Sequence, residues 1–461
     1  MQDKIFDLIK QEKKRQQETL GLIPSENIAS KAVMTAVGSC LMNKYAEGQV
    51  GRRYYQGNEV ADEVEGLAKA RALKAFGLTD DEWGVSVQPH SGCEANVAVY
   101  NALLNPGDRI MSMYLPDGGH LSHGWQVGDE KVTLVSKIFE VEFYKIDPVT
   151  RLFDYDKIAK QANKYRPKLM ITGGTAYPRE IDYERMGKIA KSVGAYYLTD
   201  VAHEAGLIAA GVMKSPFVAA DVVTFTTHKT LRGPRGACII SRRKLQITNN
   251  KLQNKSKIKN ANVQSESDLA SLIDKSIMPG LQGGPHLHTI AGIAVALGEV
   301  MTPEFKRYAR QVVKNAQVLA EGLQKAGFDV VSGGTDKHLV LVDLRNKGLS
   351  GWTVAWALEA AGIVANRNTV PAETASPFYP SGLRMGTPIV TSRGMKEKEM
   401  KMIVKWITEV VAVIGEDKLP EDVKARRAFT KAFVEKVFGD KRLAMIREEV
   451  KQLCKKFPID R

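Results

Sequence analysis

Short β-branched runs alternate with helix-like segments from about Val85 to Ser241. The runs RIMSMYL, KLMITG, AYYLTD and DVVTFTTH have the length of buried strands, whereas CEANVAVYNALL and YERMGKIAKSVG carry apolar residues at helical spacing. Alternation of this kind predicts a largely parallel sheet covered by helices. Ligands of such sheets bind at the carboxyl ends of the strands, so we expect the functional residues there.

Three regions are predicted along the chain. Residues 1–30 form an N-terminal arm that begins with a helix, and Ser25 is expected to cap a second helix from Lys31 to Asn43. Residues 31–290 form a large domain, and residues 291–461 form a smaller C-terminal α/β domain. A basic insertion at about 242–276 interrupts the large domain. Its first part, 242–259, holds seven cationic side chains and no acid, which favours a solvated segment that adds no core.

The composition limits the class of protein. Hydrophobic residues make up 44% of the 461 and charged residues 26%, as in folded globular proteins. The four cysteines are too scattered for a disulfide framework, and His123, His286 and His288 make no convincing ligand set, so we expect structural histidines and no metal. The charged N-terminal segment, and the lack of an apolar run of ~20 residues, predict a cytoplasmic protein without a membrane partner. The net charge of +14 suits anionic small molecules, and because no nucleic-acid-binding motif is visible we expect no nucleic-acid partner.

Two charged residues stand at the ends of successive apolar runs. Asp200 ends AYYLTD, and Lys229 follows DVVTFTTH 29 positions later, so both are predicted at one edge of the sheet. A partly desolvated lysine has a lowered pKa and is a candidate Schiff-base nucleophile. Upstream, the segment Ser91–Gly92–Cys93 lies between a strand-like run and a helix, where backbone N–H groups face an anion. A lysine, a carboxylate and a phosphate cradle are what pyridoxal phosphate needs from a protein, and their combination predicts this cofactor.

Longer motifs around these residues resemble the serine hydroxymethyltransferase family. The matching segments cover nearly the whole chain and are LIPSEN, NKYAEGQVGRRYYQGN, VQPHSGCEAN, LPDGGHLSHG, TDVAHEAGLIAAG, TTHKTLRGPRG, QGGP, VSGGTDKHLVLVDL and SPFYPSGLRMGTP. The resemblance implies an α/β fold-type I pyridoxal-phosphate-dependent transferase, with a mainly parallel mixed sheet in the large domain. It also implies reversible interconversion of serine and glycine, in which tetrahydrofolate takes the one-carbon unit and becomes 5,10-methylenetetrahydrofolate.

The resemblance also implies roles at the cofactor. Lys229 would form the Schiff base, Asp200 would pair with the pyridinium nitrogen, and His203 would approach the phenolic oxygen. Gly283 and Gly284 would come from a second copy of the chain and assist at the phosphate. The implied cofactor-binding residues, with His120 stacked on the ring and His228 at the phosphate, are Ser91, Gly92, Cys93, His120, Thr175, Asp200, His203, His228, Lys229, Gly283 and Gly284.

Substrate and folate roles follow from the same resemblance. Arg384 would hold the substrate carboxylate in a bidentate ion pair, and Glu47 would transfer a proton at the serine hydroxyl or the one-carbon unit. The implied catalytic residues are Lys229, Glu47, His228 and Tyr55. The implied substrate-binding residues are Ser25, Tyr45, Glu47, Tyr55 and Arg384. The implied folate-binding residues are Leu115, Gly119, His120, Leu121, Asn368, Ser376, Pro377 and Phe378.

Sites shared between subunits imply a homodimer or tetramer, with Tyr45 reaching across the interface.

Two other functions stay open at this point. A pyridoxal-phosphate aldolase acting on threonine-like amino acids, or a hydroxymethyltransferase with an α-methyl substrate, is compatible with Lys229, Asp200 and Arg384, although the folate-contact motifs argue against both. Nucleic-acid binding by the basic insertion is the other alternative, and it predicts salt-sensitive binding that deletion of 242–260 removes.

Four positions depart from the pattern common in the family. Cys93 and Thr175 stand where serine is common, Glu204 stands where an apolar residue is usual, and Leu281 replaces a glycine before QGGP. A thiol is a weaker hydrogen-bond donor than a hydroxyl, and a cysteine near a helix N-terminus is a candidate reactive thiolate. We therefore expect Cys93 to hold the cofactor less tightly than serine would.

Overall fold

The structure, a computed structural model, describes residues 3–244 and 268–459. Its strands are β1 (Leu20–Gly21), β2 (Gly48–Gln49), β3 (Arg52–Arg53), β4 (Trp83–Ser86), β5 (Arg109–Met113), β6 (Gln126–Val127), β7 (Glu130–Lys131), β8 (Glu140–Tyr144), β9 (Leu169–Thr172), β10 (Tyr196–Asp200), β11 (Val222–Thr226), β12 (Ala237–Arg242), β13 (Asp329–Val330), β14 (Leu339–Asp343), β15 (Ile363–Val364), β16 (Asn366–Asn368) and β17 (Gly382–Gly386). Its α-helices are α1 (Lys4–Glu18), α2 (Lys31–Val37), α3 (Glu59–Phe76), α4 (Gly92–Leu103), α5 (Leu134–Ile138), α6 (Tyr155–Tyr165), α7 (Tyr183–Ser192), α8 (Ala205–Ala209), α9 (Leu269–Ile277), α10 (Leu287–Val300), α11 (Pro303–Lys325), α12 (Gly351–Ala360), α13 (Pro388–Ser392), α14 (Glu397–Val413), α15 (Val423–Gly439) and α16 (Lys441–Lys456).

A seven-stranded sheet in the order β4-β12-β11-β10-β9-β5-β8 forms the centre of the large domain. Strands β8, β5, β9, β10 and β11 run parallel, and β12 is antiparallel to both of its neighbours. Alternate residues of β9 enter two separate hydrophobic clusters, Met170 on one side and Leu169 and Ile171 on the other. Apolar side chains are therefore buried on both faces, which explains why the strands are nearly continuous apolar runs. The predicted mainly parallel mixed sheet is confirmed.

The C-terminal region contains an antiparallel sheet in the order β13-β14-β17-β16. Its hydrophobic cluster includes residues from 316 to 454 and also takes in Leu20 and Leu22 of the arm, both fully buried. Strand β1 pairs in parallel with β15, opposite Ile363. The arm thus shares a core with the small domain, while the domain bounds at 30 and 290 stay predictions.

The predicted cap of the second helix is wrong. Ser30, and not Ser25, caps α2, because its side chain accepts a hydrogen bond from the backbone N–H three residues later. The helix ends at Val37, and Cys40–Asn43 form a separate 3-10 turn. Ser30 directly precedes the first helical residue, which is where a capping oxygen reaches an unpaired helix N–H.

The bounds of the basic insertion also need correction. Residues 269–276 fall inside the predicted insertion and form α9 together with Ile277, and Leu269, Ile273 and Ile277 are buried in the core. Their spacing of four residues gives this helix one apolar face, so this part of the predicted insertion contributes to the core. Residues 245–267 lie outside the described residues, and the solvated segment predicted over 242–259 stays a prediction there.

Candidate active site

The strand ends bring together the two residues on which the cofactor prediction depends. Strand β10 ends with Asp200 and pairs in parallel with β11, which ends three residues before Lys229. Both side chains are more than nine-tenths buried. Burial lowers the pKa of Lys229 to about 8, while the Asp200 carboxylate opposes this shift and Arg384 adds to it. The amine is therefore a competent nucleophile close to neutral pH.

Asp200 is held by side chains from two other elements. Its Oδ2 accepts from Asn96 Nδ2 of α4 at 2.8 Å and lies 3.1 Å from His123 Nε2. Burial alone would raise the pKa of Asp200, but the hydrogen bonds from His123 and Asn96 and the nearby His120 outweigh it, and the pKa is lowered. Asp200 is therefore ionised at neutral pH. A buried carboxylate of this kind can keep a pyridine nitrogen protonated.

The structure places His123, expected to be structural, against Asp200. The ring orients Asp200, and the motif HLSHG places it three residues after His120, the predicted stacking residue. Burial lowers the pKa of His120 to about 4, so this ring is neutral. One ring nitrogen each of His120 and His123 and one carboxylate oxygen of Asp200 lie within 4.8 Å of one another. The paired histidines in the motif were the sequence signal for a joint role.

The residues predicted to cradle a phosphate lie at the N-terminus of α4. Ser91 caps this helix, with its side chain accepting from the Glu94 N–H. A Cβ on Gly92 would lie 2.7 Å from Thr226 Cγ2, so the close approach of the helix to the end of β11 requires glycine. Nearby, the buried His228 Nδ1 has no hydrogen-bond partner among the described residues. Burial lowers the pKa of His228 to about 3, and the positive charge of Lys229 contributes to this shift. The neutral ring can donate to a phosphate oxygen.

The surroundings of Cys93 do not favour the thiolate considered for it. Burial raises the pKa of the Cys93 thiol, and the Asp200 carboxylate raises it further, while Lys229 only partly opposes both. Desolvation of the thiolate thus outweighs the favourable field of the helix N-terminus. The neutral thiol remains a weak hydrogen-bond donor, in keeping with the expected looser hold on the phosphate.

Cys93→Ser is expected to tighten binding of pyridoxal phosphate about fivefold, which corresponds to one improved hydrogen bond of about 1 kcal/mol. Tryptophan fluorescence of the cofactor-free protein, titrated in phosphate-free buffer, measures the dissociation constant. Cys40→Ser is the matched control, since Cys40 is also a free cysteine but lies in a separate turn. An equal or weaker affinity in Cys93→Ser would contradict the prediction.

Arg384 lies on β17 and is a buried cation that no carboxylate pairs with in residues 3–244 and 268–459. Its Nε donates to Asn366 Oδ1 at 3.2 Å, and its Nη1 donates to the Thr175 carbonyl. Burial lowers the pKa of Arg384 to about 10. A buried guanidinium with neutral partners needs an anion to compensate its charge, so this site suits the carboxylate of an amino acid.

His203 pairs with a residue that the sequence did not single out. Its Nδ1 lies 3.1 Å from His338 Nε2, and the two rings are stacked with centroids 5.3 Å apart. Burial lowers the pKa of His203 well below its usual value, and the positive charge of Lys229 contributes to this shift. Burial also lowers the pKa of His338 well below its usual value, so both rings are neutral at pH 7. The His203 ring is fixed by a neighbour 135 positions away.

The residues Tyr45, Glu47 and Tyr55 form a second cluster with Gly283 and Gly284. The Tyr45 and Tyr55 rings meet edge to face at 5.5 Å, and the Glu47 carboxylate raises the pKa of Tyr55. Added Cβ atoms on Gly283 and Gly284 would lie 2.9 Å from Glu47 Oε1 and 3.0 Å from the Tyr45 ring. Within the part of the chain that the structure describes, no hydrogen bond, ion pair or ring contact joins this cluster to Lys229. Tyr45 and Tyr55 are exposed in the single chain.

Comparisons with known proteins match this chain to one family. The family model for serine hydroxymethyltransferase matches residues 1–407. The cytosolic serine hydroxymethyltransferase of Oryctolagus cuniculus is 47% identical over 462 residues, covering 99% of this chain and 92% of that protein. The chain belongs to the serine hydroxymethyltransferase family. A member from Caenorhabditis elegans is 49% identical over 409 residues (89% of this chain, 78% of the relative), and the mitochondrial one of Schizosaccharomyces pombe is 46% identical over 456 residues (98% and 91%).

Several predictions from the sequence are thereby confirmed. The family itself, the α/β fold-type I class, the pyridoxal-phosphate-dependent transferase class and the serine hydroxymethyltransferase function all agree with the matches over nearly the full chain. The family assignment also favours folate-dependent transfer over the aldolase alternative. Roles of individual residues stay predictions.

The residues expected to bind folate lie on loops and short turns, except Asn368 on β16, and two of them connect to the site. Gly119 accepts a hydrogen bond from Thr175 Oγ1 at 2.9 Å. Asn368 lies opposite Gly382 on the strand that carries Arg384. Apart from His120, described above, the other expected folate residues are Leu115 in a 3-10 turn, Leu121 and Phe378 with exposed side chains, and Ser376 and Pro377 in the loop before β17. Ser25 is half-buried in a turn after β1.

Proposed function

We propose that this protein transfers the hydroxymethyl group of serine to tetrahydrofolate, giving glycine and 5,10-methylenetetrahydrofolate, at the site around Lys229. The observation that carries the proposal is the combination of a buried amine with a lowered pKa, an ionised Asp200 and an uncompensated Arg384. Bound pyridoxal phosphate supplies the electron sink for cleavage of a bond at the amino acid Cα. The residues of the site bind and orient the cofactor and the substrate.

Each group has a task that its surroundings support. The Lys229 amine attaches the cofactor, and Asp200 holds a proton on the ring nitrogen. His228 and the N-terminus of α4, with Ser91, bind the phosphate. Arg384 binds and orients the carboxylate of serine or glycine, which would fix one substituent of the amino acid Cα relative to the cofactor.

A second copy of the chain is proposed to complete the site. Glu47 and Tyr55 cluster with Gly283 and Gly284 and have no contact with Lys229 among the described residues. Because Tyr45 and Tyr55 are exposed in the single chain, this cluster is free to face the Lys229 site of another subunit. In that assembly Glu47 takes the proton from the serine hydroxyl, and Gly283 and Gly284 approach the cofactor phosphate. The assembly is a homodimer, or a tetramer that contains two such pairs of chains.

Borohydride reduction of the protein loaded with pyridoxal phosphate, followed by peptide mass spectrometry, tests the cofactor assignment. We expect the reduced pyridoxyl group on Lys229, and a protein without it would overturn the assignment. Serine consumption with and without tetrahydrofolate then tests the reaction. Dependence on folate supports the transferase, whereas cleavage of threonine-like substrates without a folate response would replace it by the aldolase.

The rate at which cofactor-free protein takes up pyridoxal phosphate is expected to rise with pH through a midpoint near 8, the pKa of Lys229. Only the neutral amine attacks the aldehyde, and burial favours that neutral form. Stopped-flow absorbance over neutral to alkaline pH measures the rate. Nα-acetyl-lysine is the control, with a midpoint of about 10.4. A protein profile that follows this control would contradict the buried-amine interpretation.

The location in the cell and the binding partners are also part of the proposal. No helix in the described ranges combines the length and the apolar composition needed to cross a membrane. The rabbit relative is named as cytosolic and the Schizosaccharomyces pombe relative as mitochondrial. We propose a cytoplasmic location and small-molecule partners only, namely serine or glycine and tetrahydrofolate, with no nucleic acid.

A further inference from the structure

Two buried contacts lie side by side between the segment after β10 and the segment before β14. Glu204 forms an ion pair with Lys337, and the adjacent His203 contacts the adjacent His338 at 3.1 Å. All four side chains are almost completely buried. A salt bridge between two such deeply buried groups requires accurate placement of both backbones, because each charge depends on the other for compensation.

The first segment carries the Lys229 side of the site. Thr230, the neighbour of Lys229, donates from Oγ1 to the His203 carbonyl at 2.9 Å. The same hydroxyl oxygen accepts from the Gly206 N–H at 3.1 Å. The backbone around Glu204 is therefore tied directly to the turn that holds the amine.

The second segment carries the Arg384 side. Lys337 and His338 lead into β14, whose Leu341 lies opposite Arg384 on β17. The Thr387 N–H, just beyond β17, donates to the His338 carbonyl at 3.1 Å. Any shift of the Lys337 backbone is thus passed to the strand that positions the guanidinium.

We propose that Glu204 and Lys337 are positioning residues that fix Arg384 relative to Lys229 and so set the affinity for the substrate carboxylate. This inference rests on the proposed function for its substrate. The buried ion pair fixes the position of one segment relative to the other. Apolar side chains of equal size would fill the space without a directional contact. Neither residue touches the substrate.

A double variant separates positioning from stability. Glu204→Leu and Lys337→Met each leave one buried charge without its partner and are expected to lower the melting temperature. The double variant Glu204→Leu/Lys337→Met removes both charges and is expected to recover most of that loss. We expect its glycine dissociation constant, measured from the cofactor absorbance, to remain about tenfold higher than that of the unaltered protein, because the two anchor points are no longer held in register.

Hydrogen–deuterium exchange of the cofactor-free double variant gives a readout that does not depend on the reaction. We expect faster exchange in residues 337–343 and 382–387 than in the unaltered protein. The matched control is Asp336→Asn, which breaks the neighbouring, partly exposed Arg179–Asp336 pair on the same loop and should leave glycine affinity within twofold. Glu204→Asp, which keeps both charges but shortens the acid, decides the question if the double variant does not fold, and we expect weaker glycine binding there too.

Recovery of both melting temperature and glycine affinity in the double variant would overturn the proposal, since it would reduce the pair to a structural role. Unchanged glycine affinity in Glu204→Asp would do the same. An unaltered protein that takes up pyridoxal phosphate but binds no glycine would instead contradict the proposed function, and the exchange experiment would still decide whether the ion pair holds β17 in place.

Discussion

Asp200→Asn is expected to lower kcat about 10²–10³-fold, the loss that follows removal of one preorganised hydrogen-bonding group at a reacting centre in other enzymes. The amide keeps the shape of the side chain but carries no negative charge, so the ring nitrogen of the cofactor loses the partner that keeps it protonated. The lowered pKa of Asp200, which hydrogen bonds from His123 and Asn96 produce, means that the charge is present throughout the neutral range. Steady-state rates with serine and tetrahydrofolate measure the loss.

The loss is expected in kcat and not in the amount of folded, cofactor-loaded protein. Absorbance after reduction of the cofactor onto Lys229 gives the loaded fraction in each variant. Asp221→Asn is the matched control, because Asp221 is equally buried, stands at the start of the neighbouring strand and accepts from the Tyr197 N–H, away from the cofactor site. An Asp200→Asn enzyme with more than half of the normal kcat would show that this carboxylate is not the nitrogen partner.

The main sheet and the residues at its edge were predictable because their signals are local. Asp200 ends an apolar run and Lys229 follows the next one, and parallel strands place such ends together. Ser30 was missed as the cap because Ser25 lay in the same Gly/Pro-punctuated stretch, and only the position of the first helical residue separates them. Helix α9 was missed because a basic segment precedes it and masks the change in apolar spacing.

The contacts that tune the site were not predictable from local patterns. Asn96 reaches Asp200 across 104 positions, and Lys337 reaches Glu204 across 133. Such pairs depend on how helices and the small domain pack on the sheet, and nothing in the neighbouring sequence specifies a partner. Glu204 was visible as an unusual residue within TDVAHEAG, but its buried counter-charge was not. The roles of Glu47 and Tyr55 came from resemblance alone.

Mixing two inactive variants, Lys229→Gln and Glu47→Gln, is expected to restore about a quarter of the activity of the unaltered protein. Each variant alone lacks one half of every site. Random reassociation places both kinds of chain in about half of the pairs, and each mixed pair has one intact and one doubly defective site. The restoration follows only if Lys229 and Glu47 of one active site belong to different chains.

Co-expression with two different affinity tags, followed by tandem purification, isolates the mixed pairs and should raise the activity to about half of normal. The matched control is Lys229→Gln combined with Asp200→Asn. Both residues lie at the same sheet edge of one chain, so every site in that mixture keeps one defect and no activity should return. Restoration in neither mixture would place Glu47 in the site of its own chain, against the separation of the Tyr45–Glu47–Tyr55 cluster from Lys229. Restoration in the first mixture alone would assign each active site to two chains and explain why the exposed tyrosines lie beside Gly283 and Gly284.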